Sequence, residues 1–276
     1  QRYLLKALKL YFVKDHTDKG DISPFSSLMV ALAANIGAGN IIGVGVAIAA
    51  GGPGAVFWCW LTGILGMATR YSEGLLAIKY RVENKDGNMS GGPMFVLERG
   101  LNSKWLGTAF AVFTAIAAFG IGNLTQGNAA AEQLHHAFSI PFWGTAAVLT
   151  ALTALVMLGG IQGIARVCAF FVPFMAVIYI MGCLYILTIQ AEYIIPAIRY
   201  ILDCAFTGEA AAGGAAGAAV MAAMRTGVAR GLFSNEAGLG SAAIASAAAQ
   251  NRNPVRQALI SSSGPFWDTV RSEEHT

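Results

Sequence analysis

Apolar residues along this chain come in long runs separated by short polar connectors, and the runs have the length of bilayer spans. A crossing helix needs roughly 20 mostly apolar residues. Six stretches satisfy that demand, 26–50, 54–79, 105–134, 143–160, 165–190 and 213–249, and a seventh starts near Val255. The polar connector 80–104 carries Gly87-Asn88 and Gly91-Gly92-Pro93, while Gly159-Gly160-Ile161-Gln162-Gly163 reads as a tight hairpin between spans four and five. Residues 191–209 set Tyr193, Ile194, Ile198, Ile201 and Leu202 against Glu192, Arg199 and Asp203, the pattern of a helix lying on a membrane surface. Residues 1–19 read the same way, with Tyr3, Leu4, Leu8 and Tyr11 beside Lys6, Lys9 and Lys14. The pattern predicts an all-α polytopic membrane protein.

Two of the runs are interrupted. Asn35-Ile36-Gly37-Ala38-Gly39-Asn40 falls inside the first span and Asn235-Glu236-Ala237-Gly238-Leu239-Gly240-Ser241 inside the sixth. Glycine weakens a helix and frees backbone amides and carbonyls, which hydrocarbon tolerates only where they line a polar cavity. Paired interruptions in two halves of a chain point to the substrate site of a secondary transporter.

Composition agrees with the span reading. Of 276 residues, 55% are hydrophobic and only 12% charged, against about 25% charged in a soluble domain; mean hydropathy is +0.57. A charge at the bilayer centre costs at least about 2.5 kcal/mol, which explains the deficit. The 33 glycines suit close helix packing. A net charge of +3 offers no footprint for nucleic acid, and Cys59, Cys168, Cys183 and Cys204 lack metal or disulfide spacing. No GxxxxGK[ST] phosphate loop and no catalytic constellation appears, so neither ATP-driven transport nor an enzyme is expected.

Lys and Arg concentrate in 1–19, in 80–104, in the turn before span five and after span six, which places the N-terminus in the cytoplasm. Arg199, Arg225 and Arg230 run against that alternation. The final Arg-Ser-Glu-Glu-His-Thr (271–276) can be encoded by AGATCGGAAGAGCACACG, the start of a common sequencing adapter. It is expected to be read-through and is left out of the fold reading.

The candidate chemistry gathers at the interruptions. Asn35 and Asn40 add amide donors and acceptors to the turn that Gly37 and Gly39 permit; half-helix N-termini favour a carboxylate and free carbonyls favour Na⁺. Gly39-x-x-x-Gly43 would equally suit close helix packing. The second break carries Ser234, Asn235, Glu236 and Ser241, and Arg230 is positioned to neutralise Glu236, either at a working site or as a structural clamp. Span three holds the polar band Gly122-Asn123-Leu124-Thr125-Gln126-Gly127-Asn128, with Asn123 and Gln126 on one helix face. That face suits either an amino-acid substrate or interhelical hydrogen bonds. Arg70 and Glu73, three apart in span two, read as a local structural pair, and Trp58, Trp60, Trp105 and Trp143 as interfacial anchors.

These motifs, with Gly20-Asp21-Ile22-Ser23-Pro24-Phe25, Gly51-Gly52-Pro53-Gly54-Ala55, Gly91-Gly92-Pro93-Met94, Gly120-Ile121-Gly122-Asn123 and Arg230 through Ser241, closely resemble the alanine/glycine:cation symporter family (sodium:alanine symporters). The resemblance implies the five-plus-five inverted-repeat fold of the amino acid–polyamine–organocation superfamily. The first repeat would span 24–209, preceded by the interfacial segment 1–23, and 210–270 would begin the second. It further implies import of alanine or glycine with Na⁺ as coupling ion, and no other cofactor, across the inner membrane of a bacterium or archaeon. Ala38, Gly39, Asn40, Asn123, Gln126, Ser234, Asn235 and Gly238 would hold substrate; Asn35, Gly37 and Asn40 would hold Na⁺; Glu236 and Arg230 would be structural or gating residues. Ala38 stands where the family often has Thr, so a hydroxyl ligand is expected to be missing. Family members continue through further helices, including an eighth that helps hold Na⁺, so the chain is expected to be a fragment. An H⁺-coupled symporter, or a channel or non-transporting membrane scaffold, are the alternatives.

Overall fold

A computed structural model of the chain describes residues 20–35, 37–207, 216–251, 253–266 and 268, with the side chains of 38–41, 121–123 and 216–218 excepted. The segments 1–19 and 271–276 lie outside the described residues. Helices dominate: α1 (Pro24–Asn35), α2 (Ala38–Gly51), α3 (Gly54–Lys79), α4 (Pro93–Gly100), α5 (Lys104–Ala117), α6 (Thr125–Phe138), α7 (Phe142–Leu158), α8 (Gly160–Ile189), α9 (Ala191–Phe206), α10 (Ala216–Asn235), α11 (Ser241–Ala247) and α12 (Pro254–Ser262). The π-helical stretch Ala118–Leu124 joins α5 to α6 without a turn. Both anticipated interruptions are real: the first run divides into α1 and α2, the sixth into α10 and α11.

Three details depart from the sequence reading. The turn between spans four and five is narrower than five residues, because Gly160 takes φ +59° and the helix resumes there. The connector 80–104 is structured: β1 (Val82–Glu83) pairs antiparallel with β2 (Met89–Ser90), and α4 follows. Trp105 and Trp143 are exposed as anchors should be, but Trp58 turns inward and its Nε1 donates to the Ala205 carbonyl at 3.3 Å.

The helix α3 is the central post, and α10, α12, α9 and α11 all pack on it. Small residues make the approach close. A β-carbon at Gly227 of α10 would overlap the Ala55 carbonyl and come within 2.7 Å of Trp58 Cβ, and one at Gly231 would fall 2.9 Å from Thr62 Cβ. In a membrane, where lipid is as apolar as leucine, such contact is what holds helices together. A separate apolar cluster of Leu28, Met29, Leu32, Val172 and Ile260 ties α1 to α8 and α12.

The outward surfaces of α5 through α8 are strongly apolar; Phe113, Phe119, Leu155 and Phe170 are among their exposed side chains. The continuous helix Lys104–Phe138 and α8 are each long and apolar enough to cross a bilayer. At one end of the molecule the chain is strapped together. Asp21 N donates to the Ala248 carbonyl and Gln250 N to the Ile22 carbonyl, and Met89 N donates to Asp21 Oδ2 at 2.8 Å. Arg81 donates to the carbonyls of Ala247, Ala249 and Asn251 at 2.8–3.0 Å, serving the last carbonyl of α11 and two in the chain that follows it.

The packing of α10 on α3 makes a direct prediction. Gly227→Ala should lower stability by about 1–3 kcal/mol, the usual cost of overpacking. Gly45→Ala on α2, where a β-carbon meets nothing within 4 Å, should not. Thermal unfolding of the two purified variants in detergent compares them, and equal midpoints would disprove the tight contact.

Candidate substrate and ion site between the helix breaks

The site is built where two helices stop. Asn35 ends α1 and Asn235 ends α10, 200 residues apart in sequence, and both side chains are buried. At the end of a helix the last carbonyls lose their intrahelical partners. Here a guanidinium supplies the missing donor. Arg70, only 2% exposed, reaches across from α3 and its Nε donates to the Asn235 carbonyl at 3.0 Å. The Asn35 amide satisfies both its atoms when Oδ1 accepts from Arg70 Nη2 at 2.7 Å and Nδ2 donates to the Ala31 carbonyl at 3.2 Å. One side chain therefore holds both breaks.

Glu73, one helical turn on, works on the amides of the second break. Its Oε1 accepts from Gly238 N at 2.9 Å and from Gly240 N at 3.1 Å. Its Oε2 lies 3.8 Å from Arg70 Nη1, completing a pair within α3. The expected local pair of Arg70 and Glu73 is present, and each member also carries contacts to backbone about 165 residues away. The Arg70 charge is opposed by Glu236 and Asp268 as well as Glu73.

The turn itself is shaped by its residues. Asn235 Oδ1 accepts from Ala237 N at 2.8 Å, a local turn that starts the reversal. Glu236 follows at φ +48°, Gly238 at φ +97° and Gly240 at φ +79°. Glu236 Oε2 accepts from Ser241 Oγ, which opens α11. Ser234 Oγ donates to the fully buried Asp268 carboxylate at 3.0 Å. Glu236 and Arg230 form no ion pair. Arg230 instead crosses α2 at Gly43, with its guanidinium 5.5 Å from the Phe233 ring centroid.

The first break has a third wall. The amide of Gln126 lies against Gly37, so near that a β-carbon on Gly37 would come within 2.8 Å of Gln126 Nε2. The π-helical stretch ends at Leu124, so it takes in only the first part of the anticipated polar band and Gln126 lies in the first turn of α6; π segments frequently mark working sites. Of the residues expected from sequence, Asn35, Gly37, Gln126, Ser234, Asn235, Glu236 and Gly238 thus lie at the two breaks. The side chains of Ala38, Gly39, Asn40 and Asn123 lie outside the described residues. The sequence reading missed the reach of Arg70 and Glu73 and the part played by Asp268. The signal available was the charge itself, since an ionisable side chain in mid-span is functional by default. Behind the breaks a small pocket is lined by Ser27, Asn35, Arg70, Ser246, Gln257 and Ser261, among others.

Two broken helices thus meet beside helices that are long and apolar enough to cross a bilayer. The sodium:alanine symporter family matches residues 1–271. The chain belongs to that family. It is 53% identical over 270 residues to an uncharacterized transporter of Haemophilus influenzae, covering 98% of this chain and 59% of that protein. To the sodium/alanine symporter AgcS of Methanococcus maripaludis it is 52% identical, covering 96% of this chain and 59% of AgcS. The probable sodium/glutamine symporter GlnT of Bacillus subtilis is 38% identical over 91% of this chain and 52% of its own length. The chain therefore spans a little over half the length of these relatives.

Gly238 and Gly240 separate two costs of substitution. At Gly238 a β-carbon would have open space, the nearest atom being Thr69 Cγ2 at 4.0 Å, so alanine meets only backbone strain, about 1–2 kcal/mol. At Gly240 it would also collide with Pro93 at the start of α4. Gly240→Ala should be the more destabilising of the two by thermal unfolding in detergent; the reverse order would contradict this arrangement of the break.

Proposed function

We propose that the chain forms the substrate-binding part of a Na⁺-coupled symporter for small neutral amino acids, alanine or glycine, working by alternating access within an inverted-repeat fold. The carrying observation is the convergence at one place of two helix ends, Asn35 and Asn235, with Gln126 against Gly37. An amino acid presents a carboxylate and an ammonium. The N-terminal end of α2 offers backbone amides and a positive dipole to the first. Carbonyls freed at the breaks, with the Gln126 amide, offer acceptors to the second.

In this reading Ala38, Gly39, Asn40, Asn123, Gln126, Ser234, Asn235 and Gly238 surround the substrate, and Na⁺ takes oxygen ligands from Asn35, Gly37 and Asn40. Glu236 helps to hold the break in shape. The family and the similarity to AgcS support sodium and alanine; the similarity to GlnT makes the side-chain end of the pocket the place where relatives would differ. The Lys and Arg distribution supports an inner-membrane protein with a cytoplasmic N-terminus.

Coupling is reciprocal: Na⁺ should raise alanine affinity by the factor by which alanine raises Na⁺ affinity. Radiolabelled alanine uptake by the full-length protein in proteoliposomes should be saturable and should collapse with the Na⁺ gradient. Gln126→Ala should weaken alanine binding by about tenfold, the loss of roughly one good hydrogen bond to a charged group. Uptake driven equally well by a proton gradient without Na⁺ would replace the ion, and unsaturable flux that ignores Gln126 would favour a channel.

A further inference from the structure

The pair Arg70 and Glu73 contacts both breaks yet belongs to neither. Arg70 donates to Asn35 Oδ1 at the first break and to the Asn235 carbonyl at the second. Glu73 accepts from two amides on the far side of the second break and faces Arg70 at 3.8 Å. The contacts form a continuous chain: Asn35, Arg70, Glu73, then the Gly238–Gly240 turn. A displacement of either break has to be transmitted through it or has to break it.

We propose that Arg70 and Glu73 are positioning residues that lock the geometry of one helix break to that of the other, and so couple ion binding at the first to substrate binding across both. The inference rests on the symporter reading above. Asn35 is a ligand in that reading, and an amide oxygen has two acceptor directions. Arg70 takes one and thereby orients the other, as an outer partner orients a metal ligand. The charge of Arg70 does not repel a cation at Asn35 without compensation, because Glu73, Glu236 and Asp268 oppose it. When an ion draws Asn35 into place, Arg70 follows. The Asn235 carbonyl and the Gly238–Gly240 amides then follow Arg70 and Glu73. Two sites joined by a rigid hydrogen-bonded element share a coupling free energy.

The test uses the full-length protein and two substitutions. Arg70→Lys keeps the charge but has one donor head in place of a fork that reaches two acceptors. Glu73→Gln keeps a carbonyl oxygen for Gly238 N and Gly240 N but removes the charge that faces Arg70. Alanine affinity is measured by equilibrium binding to purified protein with saturating Na⁺ and without it, and the ratio is the coupling factor. Both variants should bind alanine without Na⁺ within a few-fold of the parent, while the coupling factor falls about tenfold, the lower end of outer-partner effects. A merely structural role would lower the yield or melting temperature and leave the ratio untouched in the protein that remains folded. That result overturns the proposal. Should Arg70→Lys not be recovered folded, Glu73→Gln decides alone, since it preserves the backbone contacts. A parent protein that binds alanine with no effect of Na⁺ would overturn the symporter reading and this inference with it; a coupled parent with coupled variants overturns the inference only.

Discussion

A guanidinium buried at 2% exposure has to be neutralised and hydrogen-bonded, or it destabilises the fold by several kcal/mol. That constraint on Arg70 organises the centre of the molecule. The acceptors it needs cannot come from an intact helix, whose carbonyls are already paired. They come from places where helices end. The Asn235 carbonyl is available because α10 stops there, and the Asn35 side chain points inward because α1 stops there. Conversely, an orphan carbonyl in a dry interior is itself costly. The break and the arginine each remove the penalty of the other, and neither would be tolerable alone.

The same exchange operates with opposite sign at Glu73. The amides of Gly238 and Gly240 precede the first full turn of α11 and have no intrahelical acceptor, so a carboxylate on α3 serves both. Because Glu73 also faces Arg70 from the same helix, three residues away, the charges cancel locally. The result is a hydrogen-bonded polar core linking α1, α3 and α10. Its connections run through side chains of α3, which is why α3 sits at the centre of the packing rather than at the edge.

Much of this was legible along the sequence, for a definite reason. The long apolar helices over 104–138 and 160–189, the glycine interruptions at 35–40 and 235–241, and the place of Gln126 beside the first of them all follow from local patterns. What could not be read is what joins them. Arg70 and Glu73 looked like an ordinary pair three residues apart, and that pair exists. Their other contacts, to Asn235, Gly238 and Gly240, lie about 165 residues away and leave no periodic trace. The reverse error occurred at Arg230 and Glu236, where closeness in sequence suggested a pair. The chain reverses at Glu236 with φ +48°, sending its carboxylate to Ser241, while Arg230 remains on α10 and faces Gly43 of α2. Trp58 misled similarly: its place near a span end suggested an anchor, but α9 folds over it.

The glycines do two different jobs, and the second depends on the first. Those at the breaks supply backbone conformations that other residues resist, as at Gly238 and Gly240. Those on the helix faces, such as Gly227 and Gly231, let α10 lie almost backbone to backbone against Ala55, Cys59 and Thr62 of α3. An arginine side chain has limited reach, and the carbonyl it must find lies at the end of α10. Had α10 been held off by ordinary side chains, by the few ångströms that a leucine occupies, Arg70 would fall short of the Asn235 carbonyl and lose that acceptor. Close packing on small residues is thus a condition for the polar centre as well as a source of helix association. It follows that the breaks cannot be understood as local weak points in two helices. They are held open by a charged pair on a third helix, and that helix is near enough only because its neighbour is lined with glycine.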